Sequence, residues 1–229
     1  METFSTDEKV NIMKWFDDHH MTIANDHENH VKLQKGLVFY ELFSCLNSKK
    51  HDLSRMELYQ EGPVFTQVYG DVHYRINDLK DRINNFSLKK EEINNVEAEK
   101  SLVLSSIYSA DELSTMSHQF DFYRNNYHEH KSDGDDSVTF EEGMVTKDDN
   151  VRLHNLFDMV DEKLLFENSV WSSNGMYFVI DKNTKVQPNE FEKLENIALK
   201  NSQYDDSSPY FLSNPIYVSR DQDGVLSLG

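Results

Sequence analysis

Apolar residues recur at helical spacing through most of the first half of this chain. Val10, Ile12, Met13, Trp15 and Phe16 form a broad apolar face that runs to about His20. Ser5 and Glu8 ahead of it have the S-x-x-E spacing of a capping box. Asn25 and Asp26 give a second start signal, and Val31, Leu33, Leu37, Val38, Leu42, Phe43 and Leu46 then cover nearly every face of one helix. That pattern predicts a central buried helix over 27–46. Gly36 inside it costs about 1 kcal/mol against alanine, which points to close approach of another helix. After Gly62 and Pro63, the residues Val64, Val68, Val72, Ile76, Leu79 and Ile83 follow at steps of four and three. The stripe predicts a single helix over 63–83, with proline in the first turn, where its missing N–H would be unpaired anyway. Residues 88–108 also have a helical pattern, and Ser109 with Glu112 repeats the capping box before Leu113 and Met116.

The segment YHEHKSDGDDS (127–137) has the composition of a loop, and a domain boundary is predicted there. Beyond it Val151 to Leu164 suggests a helix. Met176 to Ile180 is short, aromatic and β-branched and predicts a strand, with Asp181 to Thr184 turning the chain toward Lys185–Gln187. Pro188 opens a last helix through Phe191, Leu194 and Ala198. The fold class is therefore expected to be mainly α. A compact multi-helix domain spans 7–127, and a C-terminal extension over 128–229 holds a helix pair and a small β element.

Composition narrows the function classes. With 229 residues, 38% hydrophobic and 12% aromatic, the chain can bury a core. The single cysteine, Cys45, rules out a disulfide framework and is expected to be a small core residue in a reducing cytoplasm. METFSTDEKV has neither the basic start nor the apolar run of a signal peptide, and no apolar stretch approaches a membrane span. A cytoplasmic protein with no membrane partner is expected. The net charge of −18 repels phosphates, so no direct nucleic-acid binding is expected. Much of the acid lies between residues 133 and 162, including Asp133, Asp135, Asp136, Glu141, Glu142, Asp148 and Asp149. Its density predicts a contact surface for a basic partner.

Tests for chemistry return little. His19, His20, His27 and His30 cluster, but HENHV lacks the H-E-x-x-H spacing of zinc proteases, and no converging ligand set is evident. Read from Asp133 as a calcium loop, the sequence has Val138 where glycine belongs and Met144 where glutamate belongs. There is no phosphate-cradling glycine loop and no G-x-S-x-G. No catalytic residue, cofactor or metal is expected.

Three stretches in order carry a family pattern. VKLQKGLVFYELFSCL contains Lys32, Leu33, Gln34 and Lys35, with Tyr40 as an offset aromatic. EGPVFTQVYGDV contains Gly62, Pro63, Val64 and Tyr69, and LSTMSHQFDFYRNNY contains Leu113, Ser114, His118 and Gln119. Over roughly residues 7–127 the chain resembles the SocA-like antitoxin family, or Panacea domain, common in phages and prophages. It departs from that family at Gly36, at Ser117, and where Phe120–Tyr123 replaces a Pro-Trp. The resemblance implies a helical, non-enzymatic, antitoxin-like factor in a bacterial cytoplasm that neutralises a protein partner by direct contact. Lys32, Gln34, Lys35 and Tyr40 then offer a partner surface beside the acidic one, and Gly62, Pro63, Tyr69, His118 and Gln119 act as structural motif residues. The alternative is a phage-encoded acidic inhibitor of a host nucleic-acid enzyme or defence system, whose acidic stretch imitates phosphates.

Overall fold

The computed structural model describes residues 3–130, 136–161, 168–174, 176–181, 183–201, 203, 215–221 and 224–228. The chain divides into two units, 1–161 and 162–229.

The first unit is built around the second helix. α1 (Asp7–Asp18) is capped by Thr6, whose hydroxyl accepts from Lys9 N at 3.3 Å. Ser5 is not the cap, because its hydroxyl donates to the fully buried carboxylate of Asp71 at 2.7 Å. α2 (His27–Leu46) starts at Asp26, which accepts from Asn29 N at 2.9 Å, as its sequence position predicts. Leu33, Leu37, Val38, Phe39 and Phe43 are sealed from solvent, so α2 is the central helix. A Cβ on Gly36 would stand 3.1 Å from Ser105 Oγ and 3.3 Å from Phe16. The glycine is thus a packing device against α5 (Asn95–Ile107) and α1.

The expected single helix over 63–83 is three elements. β1 (Met56–Tyr59) and β2 (Gly62–Phe65) form an antiparallel hairpin, followed by α3 (Thr66–Tyr74) and α4 (Ile76–Asn85). The apolar stripe is buried as its spacing predicts: Val68, Val72 and Leu79 are fully enclosed. However, Gly62 has φ +96°, incompatible with a helix start, and the Phe65 N–H is taken by the side chain of Gln34 at 2.9 Å. Tertiary partners override the local pattern.

α6 (Ala110–His118) carries the expected capping box, with Ser109 and Glu112 each bonding the other's backbone N–H. α7 (Asp121–His130) runs past the predicted boundary at 127. The boundary falls instead after Asp161, for three reasons. β3 (Val138–Thr139) adds to the edge of β1. α8 (Lys147–Met159) begins at a Thr146–Asp149 capping box. At the other end of α8, the Lys100 ammonium satisfies the carbonyls of Phe157 at 2.8 Å and Val160 at 2.5 Å. Residues 136–161 therefore belong to the helical unit, and the helix pair expected in the extension is divided between the units.

The second unit is a four-stranded sheet in the order β4 (Asn168–Ser173), β5 (Met176–Asp181), β6 (Ile216–Arg220), β7 (Leu226–Leu228). β5 and β6 run parallel, and the other neighbours are antiparallel. The turn after β5 closes with Thr184 N on Asp181 O at 2.7 Å, and the chain then enters α9 (Pro188–Asn201), the helix expected to open at Pro188. Phe178, Ile180, Leu194, Ala198, Ile216 and Val218 form its core.

Candidate functional site

The three motif stretches meet at the β1–β2 turn. Lys35 is 1% exposed, and its Nζ donates to the carbonyls of Glu61 at 2.6 Å and Pro63 at 3.1 Å. The Tyr123 hydroxyl donates to the carbonyls of Tyr59 at 2.8 Å and Gln60 at 3.1 Å. His118 stacks on the Tyr123 ring with centroids 4.4 Å apart. Ser117 Oγ donates to Ser114 O at 2.8 Å and sits against Gly62. The turn carbonyls of Tyr59, Gln60, Glu61 and Pro63 are thus held by a lysine from α2 and a tyrosine from α7.

Several expected partner residues are corrected by this geometry. Lys35 and Tyr40 are buried and cannot present a surface; the Tyr40 hydroxyl accepts from Asn94 N at 3.2 Å. Burial pushes that hydroxyl up to about 12. Lys32 is half-buried and paired with Glu28 at 3.0 Å on its own helix. Asp149 is fully buried, where it accepts from the N–H groups of Asp121 at 2.5 Å, Phe122 at 3.0 Å and Thr146 at 3.0 Å. It is an N-terminal anchor for α7 and α8, not a contact residue. Asp136, Glu141, Glu142 and Asp148 are exposed as expected, and Asp133 and Asp135 lie outside the described residues. Gln119 is exposed and ends α6. Pro63 is buried in β2, not in a helical turn.

Gln34 and Tyr69 are brought together. Beside the hairpin, α2 and α3 bound a cavity of about 340 Å³ lined by Asp26, His27, His30, Val31, Gln34, Glu61, Val64, Tyr69 and His73 among others. Gln34 is 2% exposed; its Oε1 is spent on Phe65 N, while its Nε2 has no hydrogen-bond partner among the described residues. His30 Nε2 likewise has none among them. Burial, helped by the nearby His73 and His27, pushes the His30 imidazole down to about 4, so it is neutral at physiological pH. An unpaired buried donor costs about 1–3 kcal/mol, which a bound acceptor would recover.

One wall of the cavity continues as a row of aromatic rings. Tyr69 stacks on Tyr59 with centroids 6.3 Å apart and on His73 at 5.7 Å, meets His30 at 4.8 Å, and His73 in turn contacts Tyr74 at 4.6 Å. Tyr69 and Tyr74 are 43% and 75% exposed. Sequence reasoning named Tyr69, and His30 only within a histidine cluster without metal spacing, but not His73 or Tyr74. The i, i+4 spacing of Tyr69 and His73 was the available signal.

Lys35 gives a pH signature. Burial pushes its ammonium down to about 7 from the ordinary 10.5, and a neutral amine still supplies the two donors its two carbonyls need. Between those pH values the unfolded chain binds a proton that the folded chain does not. This group therefore makes stability rise with pH across that window, by at most about 1.4 kcal/mol per pH unit. Urea denaturation at pH 7.5 and 9.5 is expected to show that gain in wild type and its loss in Lys35→Met. An equal pH gain in the variant would assign the effect to other groups.

No family model matches this chain, and no curated protein and no solved structure matches it either. No helix among the described residues is long and apolar enough to cross a membrane.

Proposed function

We propose that the protein acts by binding another protein, as an antitoxin-like factor that neutralises its partner by direct contact and not by catalysis. The observation that carries this reading is the exposed aromatic row Tyr69–His73–Tyr74 beside a cavity with two unpartnered buried nitrogens. Tyrosine is enriched at the energetic centres of interfaces because it supplies large, rigid contact area with a polar end. A segment of the partner that presents a carbonyl to Gln34 Nε2 and an apolar side chain to Tyr69 suits this wall.

Aromatic rows also stack nucleic-acid bases. Here Asp26 and Glu61 line the cavity, and the chain carries −18, so phosphates are repelled. The same charge favours a basic partner. Exposed Asp136, Glu141 and Asp148 act in this reading as steering charges, felt over about 10 Å at 0.1 M salt. The inhibitor reading depends on a continuous acidic surface, and the buried Asp149 removes one carboxylate from it.

The test is a differential capture. Wild-type protein is expected to retain a partner from lysate that Tyr69→Ala, folded to the same melting temperature, binds at least about 30-fold more weakly, the scale of a 2 kcal/mol hot spot. Changing Asp136 to Asn, Glu141 to Gln and Asp148 to Asn together is expected to slow association and flatten its salt dependence. Equal retention by wild type and Tyr69→Ala would remove the groove from the account.

A further inference from the structure

Away from the groove, three side chains with metal-ligating atoms converge from separate elements. Cys45 lies in the last turn of α2, His51 in the connection after it, and Glu142 in a 3-10 turn (Glu142–Met144) ahead of α8. One ligating atom from each lies within 4.8 Å of the other two. Cys45 Sγ is 3.5 Å from Glu142 Oε1, and His51 Nε2 is 3.4 Å from Glu142 Oε2. We propose that Cys45, His51 and Glu142 form a binding site for a zinc-class divalent transition-metal ion.

The spacing fits the ion. Ligands held tetrahedrally at the usual 2.0–2.3 Å from zinc stand about 3.3–3.6 Å apart; Cys45 and His51 each stand at that separation from a Glu142 oxygen, Oε1 and Oε2 respectively, and within 4.8 Å of one another. The histidine is oriented for the role. Its Nδ1 lies 2.9 Å from the Lys49 carbonyl, which can only accept, so Nδ1 carries the proton and Nε2 is the nitrogen turned to the cluster. A backbone carbonyl on the distal nitrogen is the outer-shell arrangement that fixes the tautomer of metal-bound histidines. A thiolate with an imidazole selects zinc-class ions over magnesium and calcium, which prefer all-oxygen sites.

The protonation balance is simple. In the metal-free chain the Cys45 S–H donates to one Glu142 oxygen and the Nε2–H of the protonated His51 faces the other. On binding, the thiol proton and the Nε2 proton both leave to solvent as the Zn–S and Zn–N bonds form, and the carboxylate donates a lone pair. Three protein ligands leave the fourth position for water or a donor from a partner. The Glu142 side chain is 61% exposed and that of His51 24%, so the ion has an entry path. The bound metal ties the 3-10 turn to the end of α2 across 97 residues of sequence.

The test is titration of the full-length, untagged, metal-stripped chain with Co²⁺, followed by Zn²⁺ competition. One equivalent of Co²⁺ is expected to give a thiolate charge-transfer band and the intense visible bands of a four-coordinate ion, both displaced by Zn²⁺ and not by Mg²⁺. Cys45→Ser is expected to remove the charge-transfer band. His51→Ala and Glu142→Gln are expected to weaken Zn²⁺ binding by at least the roughly 10–100-fold that loss of an outer-shell partner costs elsewhere. Glu142→Gln changes an exposed side chain, so it keeps the test decisive if Cys45→Ser folds poorly. Absence of the charge-transfer band in wild type would overturn the site and leave a His51–Glu142 ion pair in its place. Zn²⁺ binding that survives unchanged in His51→Ala and Glu142→Gln would assign the metal to other histidines and overturn it equally.

Discussion

Lys9→Met is expected to destabilise the first unit by about 3–5 kcal/mol, the cost of stranding one partner of a buried ion pair. Lys9 and Glu41 are each 2% exposed, and the ammonium donates to the Glu41 carboxylate and, at 2.5 Å, to the Asp52 carbonyl. It also lies 3.9 Å from the centre of the Phe65 ring. Without it, Glu41 retains, among the described residues, only the Asp52 N–H at 2.7 Å, and the Asp52 carbonyl loses the Lys9 donor. Burial already raises Glu41 above the usual carboxylate range, with Lys9 opposing that rise, so removing Lys9 raises it further. A raised carboxyl binds its proton more readily in the folded state than in the unfolded one. Its penalty is therefore present above the folded-state value and fades as the pH falls below it. Denaturant titration is expected to show the deficit of Lys9→Met shrinking on acidification. The double variant Lys9→Met with Glu41→Leu is expected to recover most of the loss. A single-variant cost below about 1 kcal/mol, the range of surface pairs, would mean that the pair is solvated.

Gly62→Ala is expected to cost at least about 3 kcal/mol, from two sources that act together. At φ +96° any side chain is strained, by about 1–3 kcal/mol. The added Cβ would also stand 2.3 Å from Ser117 Oγ and 2.6 Å from Lys35 Nζ. Both atoms are committed, Ser117 to the Ser114 carbonyl and Lys35 to two turn carbonyls, so relieving the overlap breaks hydrogen bonds that hold the hairpin. Gly143→Ala is the control: a Cβ there meets nothing within 4 Å, and its effect is expected within about 0.5 kcal/mol. Thermal melting of the two variants side by side checks this. Equal melting temperatures would show that the turn yields without cost.

The two variants also separate what the sequence displays from what it hides. Helices α2 and α6 were readable because capping residues and apolar pattern agree: Asp26 before His27, and Ser109 with Glu112. The β1–β2 hairpin was not. Val64, Val68 and Val72 keep helical spacing straight across the strand–helix junction, and the side chain that takes the Phe65 N–H lies 31 residues away. Ser5 was misread for the same reason, its hydroxyl being drawn to Asp71. Asp149 was hidden among other acids, although Thr146 three residues before it has the spacing of a helix start. That signal was present in the sequence and outweighed by charge density. Burial of Lys9, Glu41 and Lys35 is a matter of long-range packing, which residue type alone argues against. Of the groove, the motif stretches supplied Gln34 and Tyr69. His73 enters only when α2 and α3 are set side by side, and His30, read from the sequence as one of a histidine cluster, gains its place in the groove in the same way.

The most direct test of the central claim is site-specific photo-crosslinking from the two surfaces that compete for the partner. A photoreactive phenylalanine analogue is placed at Tyr69 in one protein and at Asp148 in another, and each is irradiated in lysate at physiological salt. The groove account expects one dominant covalent adduct from position 69, heavier than this chain by the mass of the protein captured by wild type. Little or none is expected from position 148, which steers but does not dock. Adducts from position 148 alone, or none from position 69, would contradict it.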